Sequence, residues 1–287
     1  VTIDRSLVTN DMVTTFIISD GIVDQTITLN ILSSPSGDDP DNPDNPDNPD
    51  NPNNPGDDPG KLVVTNGLAA YYTLNDSYDD VMGQYDGFGI NDPVFVSGVS
   101  GQATQFSKTN DSSILVPYGL ICNKTFSISF WVKDLNDGII FTSKCSDNLN
   151  RFTLSMYNGR LKWVCYGNNN EYESRYKDEN LSFIHGNISG NTWHHIVIVS
   201  EYTDPNYNDR TWTTVLYIDG KKAGTITETR AGNAAGVDYP NSFVIGGTTK
   251  FQDYTLTTSN FTIDNLRIYD SRLLSAEEVK EIYNAKQ

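Results

Sequence analysis

Two polar stretches concentrate the side chains that could do chemistry. Residues 166–180 read YGNNNEYESRYKDEN, and residues 202–212 read YTDPNYNDRTW. Both interleave aromatic rings with amides, carboxylates and guanidinium groups. An aromatic face packs on the C–H groups of a pyranose ring, while Asn, Asp and Arg hydrogen-bond its hydroxyls. The combination predicts a carbohydrate contact surface, with Tyr166, Tyr172, Tyr176, Tyr202, Tyr207 and Trp212 as the ligand-binding candidates. The alternative is a pair of solvated loops whose tyrosines pack locally.

Catalysis would need different constellations. Hydrolysis of a glycosidic bond calls for two carboxylates, ~5–5.5 Å apart in a retaining enzyme. On a strand that means acids at i and i+2 or i+4, projecting from one face. Glu171 and Glu173 have the spacing but lie in a polar run, and Glu277 and Glu278 fall at a helix start. His194 and His195 sit in an apolar run and read as packed side chains; His185 is isolated. No catalytic residue is assigned, and the chain reads as a non-enzyme. The lack of a CxxC or Cys/His cluster argues against zinc. Cys122, Cys145 and Cys165 read as buried thiols, with one disulfide pair left open.

Composition narrows the partners. A net charge of −17 leaves little to neutralise phosphates, which argues against nucleic acid. Eight aspartates between Asp38 and Asp58 account for nearly half of that charge. No run approaches the ~20 apolar residues of a membrane span. Without an initiator Met or a signal peptide, the sequence reads as a piece of a longer protein.

The elements that must position these residues are almost all strands. Phe126, Ile128, Phe130 and Val132 alternate with Ser127, Ser129 and Trp131. Asn158-Gly159 and Asp219-Gly220 each separate two such runs, the strongest short hairpin signal. Near the C-terminus, FTIDNLRIY alternates with a phase slip at Asp264-Asn265, the mark of a β-bulge. Ser275 and Glu278 then form a capping box, with Leu274 and Val279 at the staple positions. The fold class is all-β, a two-sheet antiparallel jelly-roll sandwich with a short C-terminal helix.

Three regions follow. Residues 1–36 carry two strand patterns, too little to bury an independent core, and read as the remnant of an upstream β domain. Residues 37–60 repeat Asp-Asn-Pro; proline at every third position blocks helix and sheet, so this is an extended linker of up to about 70 Å. Residues 61–287 form the sandwich domain.

The ordered strings resemble a known family. Gly67-Leu68-Ala69-Ala70-Tyr71-Tyr72, Gln102-Ala103-Thr104-Gln105-Phe106, the FSISFWV strand from Phe126, Trp193-His194-His195-Ile196-Val197, Leu216-Tyr217-Ile218-Asp219-Gly220, Phe243-Val244-Ile245-Gly246-Gly247 and the C-terminal block resemble laminin G-like domains of the concanavalin A-like lectin/glucanase superfamily. Residues 14–31 are similar to the last hairpin of bacterial immunoglobulin-like or cadherin-like modules. The Glu-x-Asp-x-x-Glu strand of the retaining glucanases of this fold does not occur here.

The resemblance implies a non-catalytic, carbohydrate-binding module of a secreted or cell-surface multidomain protein, bacterial, extracellular and tethered to upstream domains. A protein-binding adhesion module and a structural spacer are the alternatives. It also implies a structural Ca²⁺ between the first loop and the last strand. Asp80 and Asp264 match the positions of its ligands, and Asp76, Asp79 and Asp86 are near enough in sequence to assist. The competing reading of Asp80 is a turn carboxylate that accepts backbone N–H bonds.

Overall fold

The computed structural model describes residues 12–19, 24–31 and 62–285, apart from 118–119, 122–124, 146–149, 166–187, 189, 204–208, 232–239, 248 and 252–253. The linker repeat, Cys122, Glu171, Glu173 and His185 lie outside the described residues, as do the side chains of Cys145 and Cys165. The chain divides into two compact units, Val1–Asp58 and Pro59–Gln287. In the first, β1 (Met12–Ser19) and β2 (Asp24–Ile31) pair antiparallel as one hairpin.

The second unit opens with β3 (Leu68–Tyr72), β4 (Phe88–Ile90), β5 (Val94–Ser97), β6 (Gln102–Phe106) and β7 (Ser113–Pro117). It continues through β8 (Phe126–Lys133), β9 (Gly138–Cys145), β10 (Asn150–Tyr157), β11 (Arg160–Cys165), β12 (His194–Thr203) and β13 (Asp209–Ile218). It closes with β14 (Lys221–Ala231), β15 (Pro240–Gly246), the small pair β16 (Thr249–Phe251) and β17 (Tyr254–Leu256), β18 (Phe261–Asp270) and the helix α1 (Ala276–Asn284). Two antiparallel sheets make the sandwich. One has six strands in the order β11-β10-β9-β15-β7-β4; the other runs β14-β13-β12-β8-β18-β6-β5, with β3 also on β18.

Alternation decides which side chains meet between the sheets. Phe126, Ile128, Phe130 and Val132 of β8 face Phe141, Phe152, Trp163 and Phe243 of the six-stranded sheet, and all are buried. Phe130 meets Phe141 edge-on, with ring centroids 4.7 Å apart. Burying each such side chain is worth ~1.5–3 kcal/mol, which is the main drive for closing the sandwich. The large sheet is covered on its other face too. There Tyr71, Val197, Val199 and Tyr269 pack under Leu274, Val279 and Ile282. This explains why β8 and β18 are buried along nearly their whole length.

The local signals hold. Asn158-Gly159 joins β10 to β11 and Asp219-Gly220 joins β13 to β14, with all four residues at positive φ as a two-residue hairpin turn requires. Ser275 accepts from the Glu278 amide, and the Glu278 side chain returns to the Ser275 amide. The slip at Asp264-Asn265 is a bulge, and tertiary pairing gives it a purpose. On one flank β18 pairs with β6 through residues 261–263 and with β3 from Leu266 onward. The bulge is where one partner strand hands over to the other.

Candidate functional site

The acids picked out as calcium ligands are held in two very different ways. Asp80 is buried, and backbone N–H groups surround its carboxylate. Oδ1 accepts from Tyr71 (2.8 Å) and Met82 (3.0 Å), and Oδ2 from Gln84 (3.1 Å) and Tyr85 (3.2 Å). Val81 in turn donates its amide to the Tyr71 carbonyl at 2.8 Å. The Asp80 loop thus pairs with the free flank of β3, in place of a further strand. Asp86 is exposed and accepts from the Asp80 amide at 3.0 Å; Asp76 and Asp79 are exposed.

Asp264 has no exposed surface at all. From the bulge its Oδ2 reaches the β5–β6 turn and accepts from Val99 (2.7 Å) and Ser100 (3.2 Å). Gly98 admits this contact, since a Cβ there would lie 2.5 Å from Oδ2. Oδ1 has no hydrogen-bond partner among the described residues. Burial pushes the Asp264 carboxyl up to about 7, against the lowering effect of the amides and of Arg267. Next to it, Asn265 takes a left-handed backbone (φ 50) and accepts from the Tyr71 hydroxyl at 2.7 Å. The Arg267 guanidinium lies 4.8 Å over the Tyr71 ring.

This arrangement does not fit a calcium joining Asp80 to Asp264. A cation needs lone pairs, and four N–H dipoles already point at the oxygens of Asp80. Among the described residues no group of three or more His, Cys, Asp or Glu could hold a metal ion. Asp80 is thus held as a turn carboxylate, and Asp264 as a more sparsely bonded one.

The histidines divide in the same way. His195 is buried under α1; its Nε2 is 2.8 Å from Ser129 Oγ, and Nδ1 has no partner among the described residues. Burial, reinforced by Arg267, holds it neutral with its pKa down at about 3. His194 instead pairs with Asp219 through Nδ1 at 2.9 Å. Asp219 Oδ1 accepts from the His195 backbone amide rather than from its ring. A serine, two histidines and an aspartate are neighbours, yet the acid orients one imidazole and the hydroxyl meets the other.

Of the six ligand-binding candidates, Tyr166, Tyr172, Tyr176 and Tyr207 lie outside the described residues. Tyr202 and Trp212 face each other across β12 and β13, with ring centroids 4.9 Å apart. Trp212 is a core residue, only 7% exposed, and Tyr202 is half-buried against that core. Strand periodicity carries the signal: Trp212, Thr214 and Leu216 alternate inward on β13, so Trp212 belongs to the strand.

Sequence reading passed over the opposite end of the six-stranded sheet. Five of the six exposed large apolar side chains among the described residues fall within residues 81–94: Val81, Met82, Phe88, Ile90 and Val94. The available signal was the Phe-x-Ile alternation of β4, which places two apolar residues on one face of a strand.

Residues 108–280 match the laminin G-type family of the concanavalin A-like lectin/glucanase superfamily. The chain belongs to this family. No curated protein matches the sequence. Among solved structures, this laminin G-like chain is similar to domain 4 of AbnA, an extracellular arabinanase from Geobacillus stearothermophilus solved with arabinotriose. They share 19% identity over 75% of this chain and 98% of that one, with a TM-score of 0.51. It is also similar to the binding domain of botulinum neurotoxin serotype D/C, at 14% identity and a TM-score of 0.55, and to that of Paraclostridial Mosquitocidal Protein 1, at 18% and 0.51. In both toxin cases the likeness covers 78% of this chain and 53% of the other, so the chain spans about half the length of those domains. At these identities the likeness shows the fold.

Proposed function

We propose that residues 61–287 form a non-catalytic carbohydrate-binding module of a secreted or cell-surface bacterial protein, carried on the Asp-Asn-Pro linker after an upstream β domain. The observation that carries this reading is that the laminin G-like fold spans 98% of the arabinanase domain solved with arabinotriose. Ser129 meets the imidazole of His195 while Asp219 meets that of His194, so the acid does not orient the ring that the hydroxyl touches. Among the described residues, no helix is long and apolar enough to cross a membrane. Tyr202, set against Trp212 near the end of β12, is proposed as one aromatic face of the surface, and Tyr166, Tyr172, Tyr176 and Tyr207, which lie outside the described residues, are proposed as the others.

The test is a polysaccharide and glycan array with the full chain, followed by titration calorimetry on the hits. Binding to at least one arabinan, or to another neutral polysaccharide, with a loss of about tenfold or more on Tyr202→Ala is expected from removing one stacking ring. A chain that binds nothing on a broad panel, or one that hydrolyses its ligand, overturns the reading.

A further inference from the structure

We infer that the β4 edge of the sandwich is a docking strip for an extended, basic segment of a partner protein. β4 ends the six-stranded sheet, and among the described residues no strand pairs with its outer side. An end strand presents a row of N–H and C=O groups that a further strand can take up. Phe88 pairs with Leu115 and Ile90 with Ser113, while Gly89 pairs with the core residue Ile114. Phe88 and Ile90 therefore point together to the face away from the core, where they are 59% and 40% exposed. Val94, 54% exposed, opens β5, the end strand of the other sheet. The apolar side chains thus wrap round one rim of the sandwich.

That rim is built firmly. Tyr78 plugs the gap between the sheets, its ring stacked on Phe95 at 5.1 Å and its hydroxyl donating to the Pro93 carbonyl at 3.1 Å. Gly89 makes room for it, because a Cβ there would sit 2.6 Å from the ring. Side chains left exposed on a braced rim are surface by construction, not a core that failed to close.

Charge selects the occupant. Residues 62–107 hold five aspartates and no Lys, Arg or His. Two of these acids, Asp86 and Asp92, are exposed and flank β4 two residues from either end. A second copy of this chain would bring like charges together across the same strip, which is unfavourable. A strand of alternating apolar residues with Lys or Arg near its ends satisfies the backbone, covers Phe88 and Ile90, and meets both acids. The strip uses none of the residues proposed for glycan contact, so either function can fail without the other.

The experiment uses the full chain, without sugar, and three fluorescent peptides. One alternates Val and Thr between Lys-Lys ends; the second has Glu-Glu ends; the third carries a central Pro in the Lys form. Anisotropy is expected to show binding of the first that weakens with added salt, and at least about tenfold weaker binding of the other two. Phe88→Glu and Ile90→Glu should each cost about tenfold or more while leaving the melting temperature unchanged, since both side chains are exposed. No binding, equal binding of the three peptides, or indifference to both substitutions overturns the proposal. So does self-association in sedimentation velocity that Phe88→Glu abolishes, which would assign the strip to a second copy.

Discussion

Asp80 and Asp264 are two buried aspartates in one domain, and they do opposite things to it. Asp80 is ringed by four backbone donors, two on each oxygen. Asp264 accepts from Val99 and Ser100 on one oxygen, and the other has no hydrogen-bond partner among the described residues. Hydrogen bonds to a carboxylate stabilise the charged form, while removal from water penalises it. At Asp80 the four hydrogen bonds close a loop onto β3. At Asp264 desolvation wins, and the side chain holds a strand switch together best when it carries a proton. Residue type and burial are the same in both; the number of amides within reach decides the difference.

The largest expected effect comes from emptying the Asp80 ring. Asp80→Ala leaves the amides of Tyr71, Met82, Gln84 and Tyr85 without their acceptor. At ~1–3 kcal/mol for each buried group left unsatisfied, and with partial rescue by water, a loss of about 3–5 kcal/mol is expected in urea unfolding. Asp80→Asn, which keeps one acceptor oxygen, should lose less. A loss below about 1 kcal/mol for the alanine variant would show that the loop does not depend on its carboxylate.

Next comes pH, where Asp264 and His195 oppose each other. The Asp264 pKa is raised from 3.8 to about 7, so its stabilising contribution is complete below 3.8 and is lost as pH rises towards 7. The His195 pKa is lowered from 6.5 to about 3, so its contribution is complete above 6.5 and is lost as pH falls towards 3. Each slope is about 1.4 kcal/mol per pH unit. Between pH 4 and 6.5 they nearly cancel, and wild-type stability should be almost flat. His195→Gln should unmask a protein that weakens as pH rises, and Asp264→Asn one that weakens as pH falls. Parallel profiles for the two variants would mean that one of these groups has a charge partner.

The smallest expected effect is that of calcium. With the Asp80 oxygens occupied by amides, millimolar calcium should move the melting temperature by less than about 1 °C, against the several degrees that a tightly held ion gives a domain of this size. A larger rise that disappears in Asp264→Ala would show that its bare oxygen takes up the ion, with the 80–85 loop rearranging to help.

Features set by neighbours in sequence were legible before the fold was known. The NG and DG hairpins need only positive φ at two adjacent residues, the capping box only a serine three places before a glutamate, and the bulge only a slip in a period of two. What escaped needed partners from elsewhere in the chain. Trp212 resembled a loop aromatic until the pairing of β12 with β13 turned it inward beside Tyr202. The apolar residues of β4 resembled an ordinary strand until sheet order left them at an edge.

The sequence by itself determined the class of fold, the hairpins, the bulge and the capped helix, because each rests on backbone preferences within a few residues. Only the tertiary structure decided what the acids do. The donors for Asp264 lie at Val99 and Ser100, 165 and 164 positions away, and one of the donors for Asp80 comes from a strand outside its own loop. Whether a carboxylate meets amides, a cation or nothing depends on which backbone the closing sandwich brings to it, and no local pattern encodes that.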